Sequence, residues 1–248
     1  MKIGIVILAT NSYFVLGLRF MHKFMRYYRG GAQVTFYFFS NEDPKGYCSF
    51  NNIVYKNTIH TDWAQATNSK FSNILSLSDA DEDYLYYFDA DTSINKDFTE
   101  EWFLGDLVGG EHYCNRYEGR KPYDTNPQSK SYIPDNSPLP QIYYYGAFFG
   151  GKKDKVLEFC KILRENQIED KKIPYEPGVN DESYINQYFH YNPPTLTVPS
   201  DKFAFIISDK GGIKDTRNTK TNIINIKKSI KLRNSSNWDI INGKFTII

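Results

Sequence analysis

Tyr84-Leu85-Tyr86-Tyr87-Phe88-Asp89-Ala90-Asp91-Thr92-Ser93 runs as an apolar strand and then breaks into two carboxylates two positions apart. Side chains alternate along a strand, so this spacing sends Asp89 and Asp91 to one side. Like charges placed there repel unless a cation sits between them. A divalent ion is the simplest such cation. All-oxygen ligation favours Mg²⁺ or Mn²⁺ over zinc, and an ion with few protein ligands completes its shell with a substrate's phosphates. The strand end therefore points to nucleotide chemistry; two acids closing a turn are the plain structural alternative.

Ile3 to Leu8 is a continuous apolar run followed by Thr10-Asn11-Ser12, the pattern of a buried parallel strand entering a helix. Apolar residues then recur with a helical period from Tyr13 to Tyr28, and Gly30-Gly31 stops that helix. Val34 to Phe39 and Ile53 to Ile59 read as further buried strands, and helical spacing returns at Phe71, Ile74, Leu75 and Ser78. Strands alternating with helices predict an α/β fold, with a mainly parallel central sheet flanked by helices on both faces. Ligands in such folds bind beyond the carboxyl ends of the strands, which is where Asp89 and Asp91 fall.

His112 to Pro140 is irregular and rich in Asn, Pro, Tyr and Lys, a candidate for substrate-binding loops. Ile142 to Phe149 is an aromatic and small-residue run ending in Gly150-Gly151. Lys153 to Arg164 reads as an amphipathic helix with Val156, Leu157, Cys160 and Leu163 on one face. A further helix starts at Asn180 or Asp181, both good caps, buries Tyr184, Ile185, Tyr188 and Phe189, and ends at Pro193-Pro194. Residues 208–248 are polar and basic, with Lys210, Lys214, Arg217, Lys220, Lys227, Lys228, Lys231 and Arg233, which suits a solvated tail or a flap over phosphates.

The 248 residues suffice for one large domain with a real core. A net charge of +1 commits the chain to neither nucleic acid nor an anionic membrane. The three cysteines, Cys48, Cys114 and Cys160, lie too far apart for a disulfide framework or zinc cage and read as buried thiols. Met1 to Leu8 is too short for a signal peptide, and no apolar stretch reaches the length of a bilayer crossing, so a soluble cytoplasmic protein is expected.

Three segments in order resemble glycosyltransferase family six, the family of the histo-blood-group A and B transferases and the α-1,3-galactosyltransferase. They are Phe88-Asp89-Ala90-Asp91, similar to the family's DxD element; Tyr132-Ile133-Pro134 with Tyr143 to Gly151, similar to its donor-pocket strand; and Asp181-Glu182-Ser183 running to Asn186-Gln187-Tyr188-Phe189 and Asn192-Pro193-Pro194-Thr195, similar to its catalytic helix. The resemblance implies a GT-A fold with a Rossmann-like sheet over residues 1–207, leaving 208–248 as a basic C-terminal segment. It also implies a retaining, Mn²⁺-dependent (or Mg²⁺-dependent) transfer of a hexose from a UDP-sugar donor to a saccharide acceptor, with an α linkage. The strand that begins at residue 2 matches the soluble bacterial relatives, and the intact acids depart from those bacterial members whose motif has lost them.

Carried over residue by residue, the resemblance gives Glu182 as the catalytic acid and Asp89 and Asp91 as metal ligands, with Asp89 also at the donor ribose. Leu8, Ala9, Thr10 and Tyr13 would hold uracil and ribose. Asp181 would bond sugar hydroxyls, with an N-cap as its competing role. Lys70 stands seven positions beyond Trp63 where the family usually has arginine, and it cannot reproduce that residue's two-pronged donation. Tyr145, Gly146 and Ala147 would gauge the donor's C2 substituent, the Ala147 methyl favouring galactose or glucose over an N-acetylated sugar. His112 would contact the acceptor. Tyr123-Asp124-Thr125-Asn126 and Val179-Asn180 depart from the family pattern on that side. Two rival classes remain on the sequence. One is a haloacid dehalogenase-type phosphatase using Asp89 as nucleophile and Asp91 as acid and base. The other is a carbohydrate-binding protein without turnover.

Overall fold

The runs Lys2–Leu8, Gln33–Ser40, Tyr84–Asp89 and Tyr144–Lys152, six to nine residues long and mostly buried, form the middle of a sheet covered by helices. The computed structural model describes residues 1–94, 96–116, 121–137, 142–199, 202–204 and 223–225. In chain order the strands are β1 (Lys2–Leu8), β2 (Gln33–Ser40), β3 (Ile53–Asn57), β4 (Tyr84–Asp89), β5 (Thr92–Ile94), β6 (Leu107–Glu111), β7 (Tyr144–Lys152), β8 (Leu196–Val198), β9 (Phe203–Ala204) and β10 (Ile223–Asn225). The helices are α1 (Phe14–Tyr27), α2 (Trp63–Leu75), α3 (Lys153–Asp170) and α4 (Asn180–Tyr191).

A seven-stranded sheet is ordered β3-β2-β1-β4-β7-β6-β8, and β5, β10 and β9 form a smaller one. In the large sheet every neighbour pair is parallel except those made by β7, which runs against both β4 and β6. The mixed α/β architecture with a mostly parallel sheet flanked by helices is the one expected from the sequence, and it is of the GT-A type.

Alternation divides the core in two. Ile3, Ile5 and Ile7 of β1, Phe36 and Phe38 of β2, and Tyr86 and Phe88 of β4 face α1, where they meet Phe14, Phe20 and Phe24. Val6, Leu8, Tyr37, Phe39, Leu85 and Tyr87 face the other way, onto Phe71 of α2, Phe159 of α3 and Ile185 of α4. Asp89 continues the Leu85, Tyr87 parity and so points toward α2 and α4. Asp91 does not continue the strand: β4 ends at Asp89, and Ala90 and Asp91 form the turn into β5. The shared side of the two acids therefore comes from that turn and not from strand alternation.

Several boundaries move from their expected places. The first helix runs from Phe14 to Tyr27 and gives way to extended backbone at Tyr28, before the glycines. The second begins at Trp63, because Asp62 caps it by accepting from the Gln65 N–H at 2.8 Å. The third strand stops at Asn57, and the helix expected over Lys153 to Arg164 continues to Asp170. Helix α4 starts at Asn180 as expected, yet neither Asn180 nor Asp181 is its cap: the cap position is Val179, without a side-chain bond, and Asn180 has φ +44°. Of the cysteines only Cys160 is buried; Cys48 and Cys114 are half-buried, and all three are free thiols. No helix among the described residues is long and apolar enough to cross a membrane. The basic segment 208–248 lies outside the described residues apart from β10.

Candidate active site

A cleft of about 560 Å³ opens at the carboxyl ends of β1 and β4. Because β7 is antiparallel, it is the start of β7, not its end, that meets this tip: Phe88 pairs with Phe148, which leaves Tyr145, Gly146 and Ala147 projecting past β4. The register also slips here. Gly109 of β6 pairs with Phe149 and Glu111 with Tyr144, so β7 advances five residues against two. Such bulges re-aim side chains, and they recur beside functional sites.

Leu8, Thr10 and Tyr13 line the cleft from the end of β1, Trp63 and Lys70 from α2, Asp89 and Asp91 from the tip of β4, Tyr145, Gly146 and Ala147 from β7, and Asp181 and Glu182 from α4. Segments scattered over the chain thus converge on one cavity. Two residues named from the sequence do not border it. Ala9 is fully buried, its N–H donating to Phe39 O and its carbonyl accepting from Ser40 Oγ. His112 packs behind Tyr145, ring centroids 4.2 Å apart, and its Nδ1 accepts from the Cys114 N–H at 3.1 Å. Burial pushes the His112 imidazole down to about 3, so it is neutral at physiological pH.

Lys70 is the hub of the charged groups. Its side chain is 5% exposed, and its ammonium lies 2.9 Å from Asp181 Oδ2, 3.1 Å from Asp89 Oδ1 and 3.1 Å from the Gly146 carbonyl. Three oxygens match the three N–H donors of a lysine. The Tyr87 ring lies 4.8 Å below, and its hydroxyl donates to Asp89 Oδ1 at 2.8 Å. Burial alone would lower the pKa of this ammonium, but Asp181 and Asp89 outweigh it and hold the pKa well above the usual lysine value. The lysine therefore ties Asp89 of β4 to Asp181 of α4 and to the β7 backbone at Gly146.

Glu182 sits in the first turn of α4, where the helix dipole favours a carboxylate. The Gly146 N–H donates to its Oε2 at 2.6 Å. Burial nonetheless pushes its pKa up to about 7; the Gly146 N–H opposes the shift, Asp181 adds to it, and Tyr143 and Lys70 favour the anion. Asp181 is likewise raised, to about 6, by burial against the pull of Lys70. Gly146 makes this approach possible. A Cβ there would lie 3.1 Å from Asp181 Oδ2, 3.1 Å from Glu182 Cβ and 3.2 Å from Glu182 Oε2.

Sequence reasoning passed over several residues that line the cleft, among them Asn11, Ser12, Asp62, Thr67 and Tyr87. Tyr87 was within reach, since it shares a face with Asp89 two positions on. Asn11 left a weaker signal. It stands three residues past the end of β1 and takes φ +54°, a conformation asparagine tolerates better than most residues.

The chain is 27% identical over 209 residues to a globoside alpha-1,3-N-acetylgalactosaminyltransferase 1 from Gallus gallus, covering 79% of this chain and 59% of that protein. It is 28% identical over 206 residues to the histo-blood group ABO system transferase 2 of Rattus norvegicus, covering 78% and 60%. With the O-antigen biosynthesis glycosyltransferase WbnI of Escherichia coli it shares 29% identity over 166 residues, 65% of this chain and 70% of that one. It spans about three fifths of the length of the two animal relatives. The sequence pattern of Glycosyltransferase family 6 matches residues 1–205, the whole of the large sheet and every wall of the cleft, and the chain belongs to that family.

Proposed function

We propose that this chain is a retaining glycosyltransferase that moves a hexose, galactose in preference, from a UDP-sugar to a hydroxyl of a saccharide acceptor with an α linkage. One observation carries the reading: Glu182, half-buried and held by a backbone N–H, lines the same cleft as Asp89 and Asp91, in a chain of a glycosyltransferase family. The relatives' names, among them N-acetylgalactosaminyltransferases, support sugar transfer as the reaction class.

Asp89 and Asp91 border the cleft with oxygen donors alone, the chemistry that suits Mn²⁺ or Mg²⁺. Among the described residues no group of three or more His, Cys, Asp or Glu is placed to hold an ion. Two carboxylates would therefore share it with the donor's diphosphate. Bound there, the ion would offset charge on the departing UDP. Leu8, Thr10 and Tyr13 would flank the nucleoside, with Ala9 shaping their backbone from within the core. Lys70 orients Asp181 toward the sugar hydroxyls. Glu182 would face the anomeric carbon, either attacking it or stabilising positive charge on it. Tyr145, Gly146 and Ala147 set the room at C2, where the Ala147 methyl disfavours an N-acetyl group. His112, neutral and behind Tyr145, would meet the acceptor only through that ring. Neither the phosphatase nor the pure binding module gains support from the fold or the relatives.

The test is Mn²⁺-stimulated hydrolysis of UDP-galactose, UDP-glucose, UDP-N-acetylgalactosamine and UDP-N-acetylglucosamine. Transfer to water reveals the donor without knowledge of the acceptor. UDP release fastest from UDP-galactose, with the α-anomer as first product, is expected; no release from any of the four would overturn the reading.

A further inference from the structure

Helix α4 meets β7 through two polar rungs. The Gly146 N–H donates to Glu182 Oε2 at 2.6 Å. One helical turn later, Asn186 Oδ1 accepts from the Tyr144 N–H at 2.7 Å and Asn186 Nδ2 donates to the Tyr144 carbonyl at 2.9 Å. The same amide nitrogen donates to the Glu182 carbonyl at 2.8 Å. Asn186 is 1% exposed, so the side chain has no water to exchange with.

The two rungs are commensurate. Four residues of helix rise about 6 Å, and two residues of strand rise about 6.6 Å. Residues 182 and 186 can therefore register against 146 and 144 with little distortion. The Asn186 carboxamide presents one acceptor and one donor to a single residue's N–H and C=O, as a neighbouring strand would. It does so where β7 slips against β6, at Tyr144 itself. Tyr144 pairs with Glu111 on its β6 side, while on the other side the β4 ladder has already ended at Phe148; there Asn186 satisfies the Tyr144 N–H and carbonyl, and α4 is thereby set at one height along β7.

We propose that Asn186 is a positioning residue for Glu182: it fixes the height and rotation of the first turn of α4, so that the carboxylate meets the Gly146 N–H and faces the cleft. Apolar contacts cannot supply this. Tyr184, Ile185 and Phe189 hold α4 against the sheet without direction, and a slide of about 1 Å would leave their burial almost unchanged. Misplacement on that scale is enough to cost about 100-fold in rate. The inference rests on the role proposed above for Glu182.

The experiment compares Asn186→Leu and Asn186→Asp with wild type in Mn²⁺-dependent hydrolysis of UDP-galactose, with UDP affinity measured by calorimetry. In folded Asn186→Leu we expect kcat to fall about 100-fold, with KM and the UDP dissociation constant within twofold of wild type. Asn186→Asp keeps the acceptor for Tyr144 N–H and loses the donor, so kcat is expected to fall in the same direction. Should the leucine variant not fold, the aspartate variant carries the test by the same readouts. Wild-type kcat in either folded variant, or a parallel loss of UDP affinity, overturns the proposal, as does failure of both to fold. Glu182→Gln, assayed alongside, separates the two levels: full activity there removes the role of Glu182 itself. A dead Glu182→Gln beside an active Asn186→Leu removes only the role of Asn186.

Discussion

Glu182 combines two properties that pull against each other: burial, which favours its neutral form, and a backbone N–H at 2.6 Å that favours its anion. The resulting value near 7 makes its charge sensitive to pH in the physiological range. The groups facing it are Asp181, Lys70, Tyr143 and the Gly146 N–H. If the anion is the working form, hydrolysis of UDP-galactose should rise with pH through a limb near 7. Glu182→Gln should lower kcat by about three orders of magnitude or more while leaving UDP affinity nearly intact, because it removes an interaction made at the reacting carbon and not at the nucleotide. The same group bears on stability with a fixed sign. Its folded pKa is raised from 4.5, so the folded state holds the extra proton. The stability this contributes is fully present below about 4.5 and is lost as pH rises toward 7. The melting temperature of Glu182→Gln should accordingly gain on wild type between pH 5 and pH 8, and thermal melts at matched ionic strength would show it.

At the scale of elements, the site is the meeting of α4 and α2 over the start of β7, and its tolerances are set by small contacts. Gly146→Ala places a methyl within 3.1 Å of both Asp181 Oδ2 and Glu182 Cβ. Neither neighbour can yield freely, since Asp181 is fixed by Lys70 and Glu182 by the strand. Overpacking of this kind costs about 1–3 kcal/mol. The variant should melt lower by an amount in that range and lose kcat more than UDP affinity. Lys70→Met is the harsher change, leaving Asp181 buried without its cation; breaking a buried pair costs about 3–5 kcal/mol, measurable by urea unfolding. The sequence carried much of this architecture. The strands at Ile3, Val34 and Tyr84 and the helices around them were legible because their apolar runs exceed what any loop would carry. Strands β6 and β8 were not, because Leu107–Glu111 holds two glycines and Leu196–Val198 is only three residues long. The cap of α4 was misjudged for a different reason. Asn180 and Asp181 have capping chemistry, and tertiary charge pairing took Asp181 for Lys70 instead.

Over the whole molecule, the cleft joins parts of the chain that no local pattern connects. Residues 121–137 are tied down through side chains: Asp124 accepts from Ser131 and Tyr175, and Asp170 at the end of α3 accepts from Ser129 at 2.7 Å and from Tyr184 of α4 at 3.0 Å. Two of these bonds span 41 and 51 positions, and contacts at such separations leave no periodic trace, which is why that region read only as loops. The candidate site was more legible than its surroundings, since its acids and small residues fall at strand ends and helix starts. The proposed metal adds a linkage that reports on the entire fold. A ligand bound only by the folded state stabilises it by about 2.7 kcal/mol at 100 times its dissociation constant. For a domain of this size each kcal/mol moves the melting point by about 2–4 °C. UDP with Mn²⁺ should therefore raise the melting temperature by about 5–10 °C, well beyond the sum of UDP alone and Mn²⁺ alone, because each would complete the other's contacts at the tip of β4. Asp91→Ala should erase that excess, measured against the variant's own ligand-free melting temperature. A shift with UDP that is indifferent to Mn²⁺, or an undiminished excess in Asp91→Ala, would remove the metal from the mechanism and leave the nucleotide to be held by the chain alone.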